Sequence, residues 1–105
     1  MSTKKQFGSF QELVNQSDLP VLVDFYAPWC GPCQMMAGML EQINSEMKQQ
    51  LRIVKINTEN YPQLASQYQV KALPTLVLFK QGEPALRIEG VMPVDQLKQQ
   101  LRSHT

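Results

Sequence analysis

A Cys-x-x-Cys motif lodged between an apolar run and a helical pattern leaves this chain few folds to choose from. Cys30 and Cys33, within Trp29-Cys30-Gly31-Pro32-Cys33, are the only cysteines in 105 residues. The run Val21-Leu22-Val23-Asp24-Phe25-Tyr26 precedes them, and Met36, Met39, Leu40, Ile43 and Met47 follow at helical spacing. A cysteine pair where a strand hands over to a helix reads as a reversible dithiol rather than a structural staple.

The remaining pattern surrounds that junction with alternating elements. Ser9-Phe10-Gln11-Glu12 has capping-box spacing and predicts a first helix over 9–17. Pro20 opens the apolar run, a strand with Val21, Val23 and Phe25 on one side and Leu22, Asp24 and Tyr26 on the other. Apolar residues on both sides predict a strand covered on both faces, as in a parallel sheet. A second helix should run from the cysteines to about Gln49, followed by a strand over 51–56. Tyr61-Pro62 starts a short helix with Leu64, Ala65 and Tyr68 turned inward. A strand over 75–80, a tight turn at Gln81-Gly82 and a returning strand over 85–89 form a hairpin, and Pro93 opens a last helix carrying Val94, Leu97 and Leu101. The order α-β-α-β-α-β-β-α argues for an α/β fold, a mixed sheet of parallel strands closed by a C-terminal antiparallel hairpin and flanked by helices. Its length fits a single domain over 1–105.

With Cys30 at the cap of the second helix, Gly31 and Pro32 fill the first turn, where proline gives up no hydrogen bond. Cys33 lies in that same turn, and residues three apart on a helix are ~5–6 Å from each other, within disulfide reach. Unpaired N–H groups and the positive end of the helix dipole favour a thiolate at the cap. Cys30, ending the loop, should be the more exposed thiol and the attacking one; Cys33, one turn inside, resolves the mixed disulfide. A structural disulfide closing so small a loop would remove little unfolded-state entropy. A zinc site lacks further ligands, since the one histidine is His104 near the end of the chain.

Asp24 is a carboxylate in apolar company six residues before Cys30. If buried, its pKa rises, and it becomes a candidate proton acceptor for Cys33; the competing reading is a strand-end aspartate facing water. Lys55 lies within the next strand, near enough to moderate Asp24 or, as the residues alone favour, snorkelling to the surface. Leu73-Pro74 precedes a strand, where proline is tolerated, and its peptide reads as trans by frequency. Met35, Met36, Met39 and Met47 read as core filler, and Trp29 beside a reactive cysteine reads as a flat contact surface.

Net charge is +1 and basic residues are scattered, Lys4-Lys5 being the densest pair, so no phosphate-binding face is expected and nucleic acid is not a partner. No stretch approaches the ~20 apolar residues of a membrane span, and Met1 to Gln6 is not followed by a secretory apolar core. A cytoplasmic location is expected, and one close cysteine pair agrees with a reducing compartment.

Taken together, these residues resemble the thioredoxin family over nearly the whole chain. Trp29-Cys30-Gly31-Pro32-Cys33 is similar to its active-site sequence, and Val23-Asp24-Phe25-Tyr26-Ala27, Val54-Lys55-Ile56-Asn57, Leu73-Pro74-Thr75-Leu76, Phe79-Lys80-Gln81-Gly82-Glu83 and Gly90 fall where the family has them. The resemblance implies a thioredoxin fold and protein-disulfide reductase activity, with no bound cofactor or metal beyond a redox-active Cys30–Cys33 disulfide. It implies a cis Pro74 facing the cysteines, a Leu73 backbone that pairs with an extended substrate, and Gly90 and Val91 completing a contact surface with Trp29, Gly31 and Pro32. It makes Asp24 and Lys55 a pair behind Cys33. Gly38 departs from the family, which usually has a helix-kinking proline there, and Tyr26 stands where bacterial members often have tryptophan. Phe25-Tyr26-Ala27-Pro28, Gln34 and Ala72-Leu73-Pro74-Thr75 are similar to the y-type members of plastids and cyanobacteria. That subtype implies re-reduction by a ferredoxin- or NADPH-dependent thioredoxin reductase, with peroxiredoxins and methionine sulfoxide reductases among its clients; a monomer is expected. Two alternatives stay open: an oxidant that donates disulfides, and a binding subunit whose thiols are incidental.

Overall fold

A computed structural model describes residues 9–105; the Lys4-Lys5 pair and the Met1–Gln6 stretch lie outside the described residues. The elements are α1 (Phe10–Gln16), β1 (Val21–Tyr26), α2 (Gly31–Met47), β2 (Arg52–Asn57), α3 (Pro62–Gln67), β3 (Thr75–Lys80), β4 (Glu83–Glu89) and α4 (Val94–Ser103). Their number, type and order are those expected. Some boundaries move by one or two residues: α2 stops at Met47, β2 starts at Arg52 and β4 starts at Glu83. Ser9 caps α1, its hydroxyl accepting the Glu12 N–H at 3.1 Å.

The four strands lie in the order β2-β1-β3-β4. β1 pairs parallel with β2 and antiparallel with β3, and β3 pairs antiparallel with β4. The sheet is therefore mixed, as expected, and among the described residues its parallel part is the pair β1/β2. The crossover explains this. α2, with 17 residues, carries the chain back along the sheet so that β2 starts beside the beginning of β1. α3 has six residues, about 9 Å of helix against about 20 Å for a six-residue strand. It cannot return the chain to the far end. β3 therefore enters at the end where β1 and β2 finish, which places Pro74 at the same end as the cysteines.

Both faces of the sheet are covered. Leu22, Leu76, Leu78 and Ile88 pack with Met36, Leu40, Ile43 and Met47 of α2 and Leu97 and Leu101 of α4. On the other face Val21, Val23, Phe25, Val77 and Phe79 pack with Val14 of α1, joined by the partly buried Phe10, Leu64 and Tyr68. The two-sided apolarity of β1 thus reflects a central strand between two helical layers, not a fully parallel sheet. Fully burying such a side chain contributes about 1.5–3 kcal/mol, so β1 and β3 anchor the molecule. α3 buries no residue completely; Leu64, Ala65 and Tyr68 are half-buried. Of the methionines, Met36 and Met47 fill the core and Met39 is half-buried, whereas Met35 is exposed.

α2 runs as one helix through Gly38, where an added Cβ would meet no described atom within 4 Å beyond its chain neighbours and the local helix backbone. Glycine there pays helix entropy without serving a close contact. Gly38→Ala should raise stability by about 0.5–1 kcal/mol in a urea titration; a loss of stability would show that α2 uses Gly38 to bend.

Candidate functional site

The motif occupies the junction that the topology creates. β1 ends at Tyr26, and its carbonyl accepts the Thr58 N–H at 2.9 Å and the Thr58 hydroxyl at 3.1 Å, fastening the β2–α3 loop alongside. The Cys30 N–H then donates to the Ala27 carbonyl at 3.2 Å, turning the chain into α2. Cys30 is the N-cap: its backbone is extended, its carbonyl accepts the Gln34 N–H at 3.3 Å, and its sulfur accepts the Cys33 N–H at 3.2 Å. Pro32 sits in the first turn, as expected. The two cysteines are joined by a disulfide with their Cα atoms 5.2 Å apart. The helix start thus directs an N–H at Cys30 Sγ and sets the second sulfur within bonding reach of the first.

One expectation needs correction. Cys30 is 6% exposed and Cys33 4%, so the two sulfurs hardly differ in burial in the disulfide form. Ala27 and the partly buried Tyr26 and Leu73 pack around both. What separates them is position on the helix, with Cys30 at the cap and Cys33 inside the first turn.

Around this pair the surface is apolar and open. Trp29 is 70% exposed, Gly31 and Pro32 are exposed, and so is Val91. Gly90 has φ +82, which favours glycine, and its N–H donates to the Pro74 carbonyl at 2.9 Å. The Leu73–Pro74 peptide is cis, as the resemblance implied and residue frequencies did not. Pro74 is buried, and the Thr75 hydroxyl donates to the Ala72 carbonyl at 2.6 Å. Leu73 packs against the cysteines, so segments about forty residues apart in sequence form one surface.

Asp24 is fully buried, which removes the water-facing reading. It lies in register with Lys55 on β2 and Leu76 on β3, on the face covered by α2. Neither carboxylate oxygen has a hydrogen-bond partner among the described residues. Burial pushes its pKa up from 3.8 to about 6, and the positive charge of Lys55 offsets part of that rise. Lys55 is exposed, its ammonium 5.0 Å from the Tyr26 ring centroid. Its head snorkels, as the residues alone suggested, and it acts on Asp24 through charge.

Two residues at the site were not anticipated. Glu59 accepts the Trp29 indole N–H at 2.5 Å, and its own N–H donates to the Asn57 side chain at 3.0 Å. Arg87 donates to the Tyr68 and Gln69 carbonyls just ahead of the Leu73–Pro74 segment. An acidic residue in the loop after β2 was the one available signal for Glu59; nothing marked Arg87.

A family model described as thioredoxin matches residues 2–103. The chain is 60% identical over 102 residues to a thioredoxin-like protein of Synechocystis, covering 97% of each. It is 49% identical over 100 residues to a chloroplastic thioredoxin Y of rice, covering 95% of this chain and 60% of that one. Among solved structures, the oxidised form of mitochondrial thioredoxin 3 from Saccharomyces cerevisiae is similar, with a TM-score of 0.81 and 34% identity, covering 90% of this chain and 86% of that one.

The raised pKa of Asp24 has a definite sign for stability. The folded protein holds this proton more tightly than the unfolded chain does. Its contribution is therefore fully present below about pH 4 and is lost as pH rises to and through about 6. Asp24→Asn should stabilise the protein by about 2–3 kcal/mol at pH 7–8 relative to wild type, and the gain should shrink towards zero near pH 4. Urea titrations of both proteins at several pH values check this; a difference independent of pH would contradict it.

Proposed function

The chain belongs to the thioredoxin family, and from that premise we propose how its residues carry out disulfide reduction. It is a protein-disulfide oxidoreductase whose redox centre is the Cys30–Cys33 pair, and like its family it works between a reductase and disulfide-bearing client proteins. The observation that carries the assignment of roles is the cap: Cys30 Sγ accepts the Cys33 N–H at the start of a 17-residue helix.

In the reduced protein Cys30 is the thiolate. It attacks one sulfur of a client disulfide, forming an intermolecular disulfide and expelling the client's other sulfur as a thiolate, which takes up a proton. Cys33 then loses its proton and attacks Cys30. The Cys30–Cys33 disulfide forms and the client leaves with its second thiol. Two electrons pass to the client, and two protons accompany them. Asp24 is the proton acceptor for Cys33. With a pKa near 6 it is mostly ionised at neutral pH yet basic enough to bind a proton, the poise a general base requires. Lys55 stabilises its ionised form. Trp29, Gly31, Pro32, Gly90 and Val91 form the client contact surface, and the Leu73 backbone ahead of Pro74 pairs with an extended client segment.

Similarity to the chloroplastic thioredoxin Y proteins of rice and Arabidopsis supports a y-type assignment. Under that reading electrons come from a ferredoxin- or NADPH-dependent thioredoxin reductase, and peroxiredoxins and methionine sulfoxide reductases are among the clients. Because the protein leaves each cycle oxidised, it requires a compartment with a reducing supply, and the cytoplasm is the proposed one.

Turnover with insulin as the disulfide substrate and dithiothreitol as the reductant tests the roles. Cys30→Ser should lose activity down to the uncatalysed rate. Cys33→Ser, reduced, freed of dithiothreitol and then mixed with insulin, should accumulate a mixed disulfide through Cys30, detected by mass spectrometry. Asp24→Asn should slow turnover at pH 7 several-fold, water taking the Cys33 proton less readily in its place, while leaving Cys30 alkylation by iodoacetamide largely intact. Equal rates for wild type and Cys30→Ser would favour an incidental role for the thiols.

A further inference from the structure

The substrate-facing segment Val70–Pro74 is held at both ends by the same strand, and one of the two ties is a side chain with no evident reason to be there. At the far end the Gly90 N–H, just beyond β4, donates to the Pro74 carbonyl at 2.9 Å. At the near end Arg87 of β4 reaches across to the end of α3. Its Nη1 donates to the Tyr68 carbonyl at 2.6 Å and its Nη2 to the Gln69 carbonyl at 2.7 Å, while Nε meets Glu89 Oε2 at 3.0 Å. All three nitrogens of the planar guanidinium are thus used.

The clamped point is the one where the chain changes direction. Gln69 has φ +55, a left-handed conformation that glutamine seldom adopts, and the Val70 N–H donates back to the Ala65 carbonyl at 2.8 Å. From there only Val70, Lys71, Ala72 and Leu73 separate the turn from Pro74, and Leu73 packs against Cys30 and Cys33. A shift of the Gln69 turn is therefore carried to Leu73, which packs against the cysteine cluster.

We infer that Arg87 is a positioning residue for client binding: it fixes the Gln69 turn so that the Leu73 backbone is held ready to pair with an extended client segment beside the disulfide. This rests on the reductase reading above and adds the residue that sets the geometry of its binding edge. Glu89, opposite Thr75 on β3, orients the guanidinium from its own strand. Lysine cannot do the same work. A single ammonium cannot span two successive carbonyls and a carboxylate in one plane.

The test compares a client that pairs through its backbone with one that cannot. Arg87→Gln should raise KM for insulin reduction roughly 3- to 10-fold, the loss of one or two charge-assisted hydrogen bonds, with kcat nearly unchanged. The rate with a small aromatic disulfide, which has no peptide backbone, should change by less than about twofold on the same scale. Arg87→Lys should fall between wild type and Arg87→Gln, and it decides the matter if Arg87→Gln does not fold. Amide hydrogen exchange at Lys71 to Leu73 should quicken in the order wild type, Arg87→Lys, Arg87→Gln. An unchanged insulin KM, or equal slowing with both disulfides, overturns the clamp while leaving the reductase reading intact. A wild-type protein inert towards both disulfides sinks the reductase reading, and the clamp falls with it.

Discussion

The sulfur of Cys30 occupies the place where most helices put the oxygen of a serine, threonine or aspartate. At 3.2 Å from the Cys33 N–H it satisfies one of the donors that every helix start leaves over. A single contact therefore caps the helix, favours negative charge on the sulfur, and sets the second cysteine one turn away with its Cα at 5.2 Å. The rest of the fold serves that contact. β1 delivers the chain to the junction from the centre of the sheet, α2 is long enough to present a full dipole, and Met36, Leu40, Ile43 and Met47 bind the helix to the sheet so that its start does not wander.

Asp24 is the element that works against stability. A fully buried carboxylate with no hydrogen-bond partner for either oxygen among the described residues costs the fold free energy at neutral pH, and the charge of Lys55 offsets only part of it. Leu at this position would continue the pattern set by Leu22 and Leu76 on the same face. A group that is expensive where it stands and close to ideal in acidity for proton transfer near neutrality is placed for its chemistry. The position of Lys55 fits this. An ammonium bonded directly to Asp24 would drive its pKa back down and strip it of basicity; held at the surface over Tyr26, it moderates the charge and no more.

Much of this was legible from the residues, because the signals were local. Capping at Ser9, the strand run at 21–26, the 3.6-residue stripe of α2 and the hairpin turn at Gln81-Gly82 are each decided by neighbours within a few positions. Strand direction was less so. Alternating helices and strands suggested parallel pairing, whereas the antiparallel entry of β3 follows from the length of α3, a quantity that matters only once the sheet exists. The near-equal burial of Cys30 and Cys33 escaped for the same reason. Leu73, which packs against the cysteine cluster, arrives from forty residues away.

That division separates the reaction from its specificity. The bond-making atoms lie in one contiguous stretch, Trp29 to Cys33, so a motif suffices to read the chemistry. The surface that chooses a client is assembled from the β1–α2 junction, the loop before β3 and the residues after β4. Its shape is set by contacts to backbone carbonyls, such as those Arg87 makes at Tyr68 and Gln69. A carbonyl is present at every residue, so its use as an acceptor leaves no mark on the residue that bears it. Glu59 is a milder case: an acid in a loop is common, and only the fold brings it to the Trp29 indole. Two chains with the same five-residue motif can therefore share one reaction and differ in clients, because the residues that aim the binding edge are free to change without touching the sulfurs.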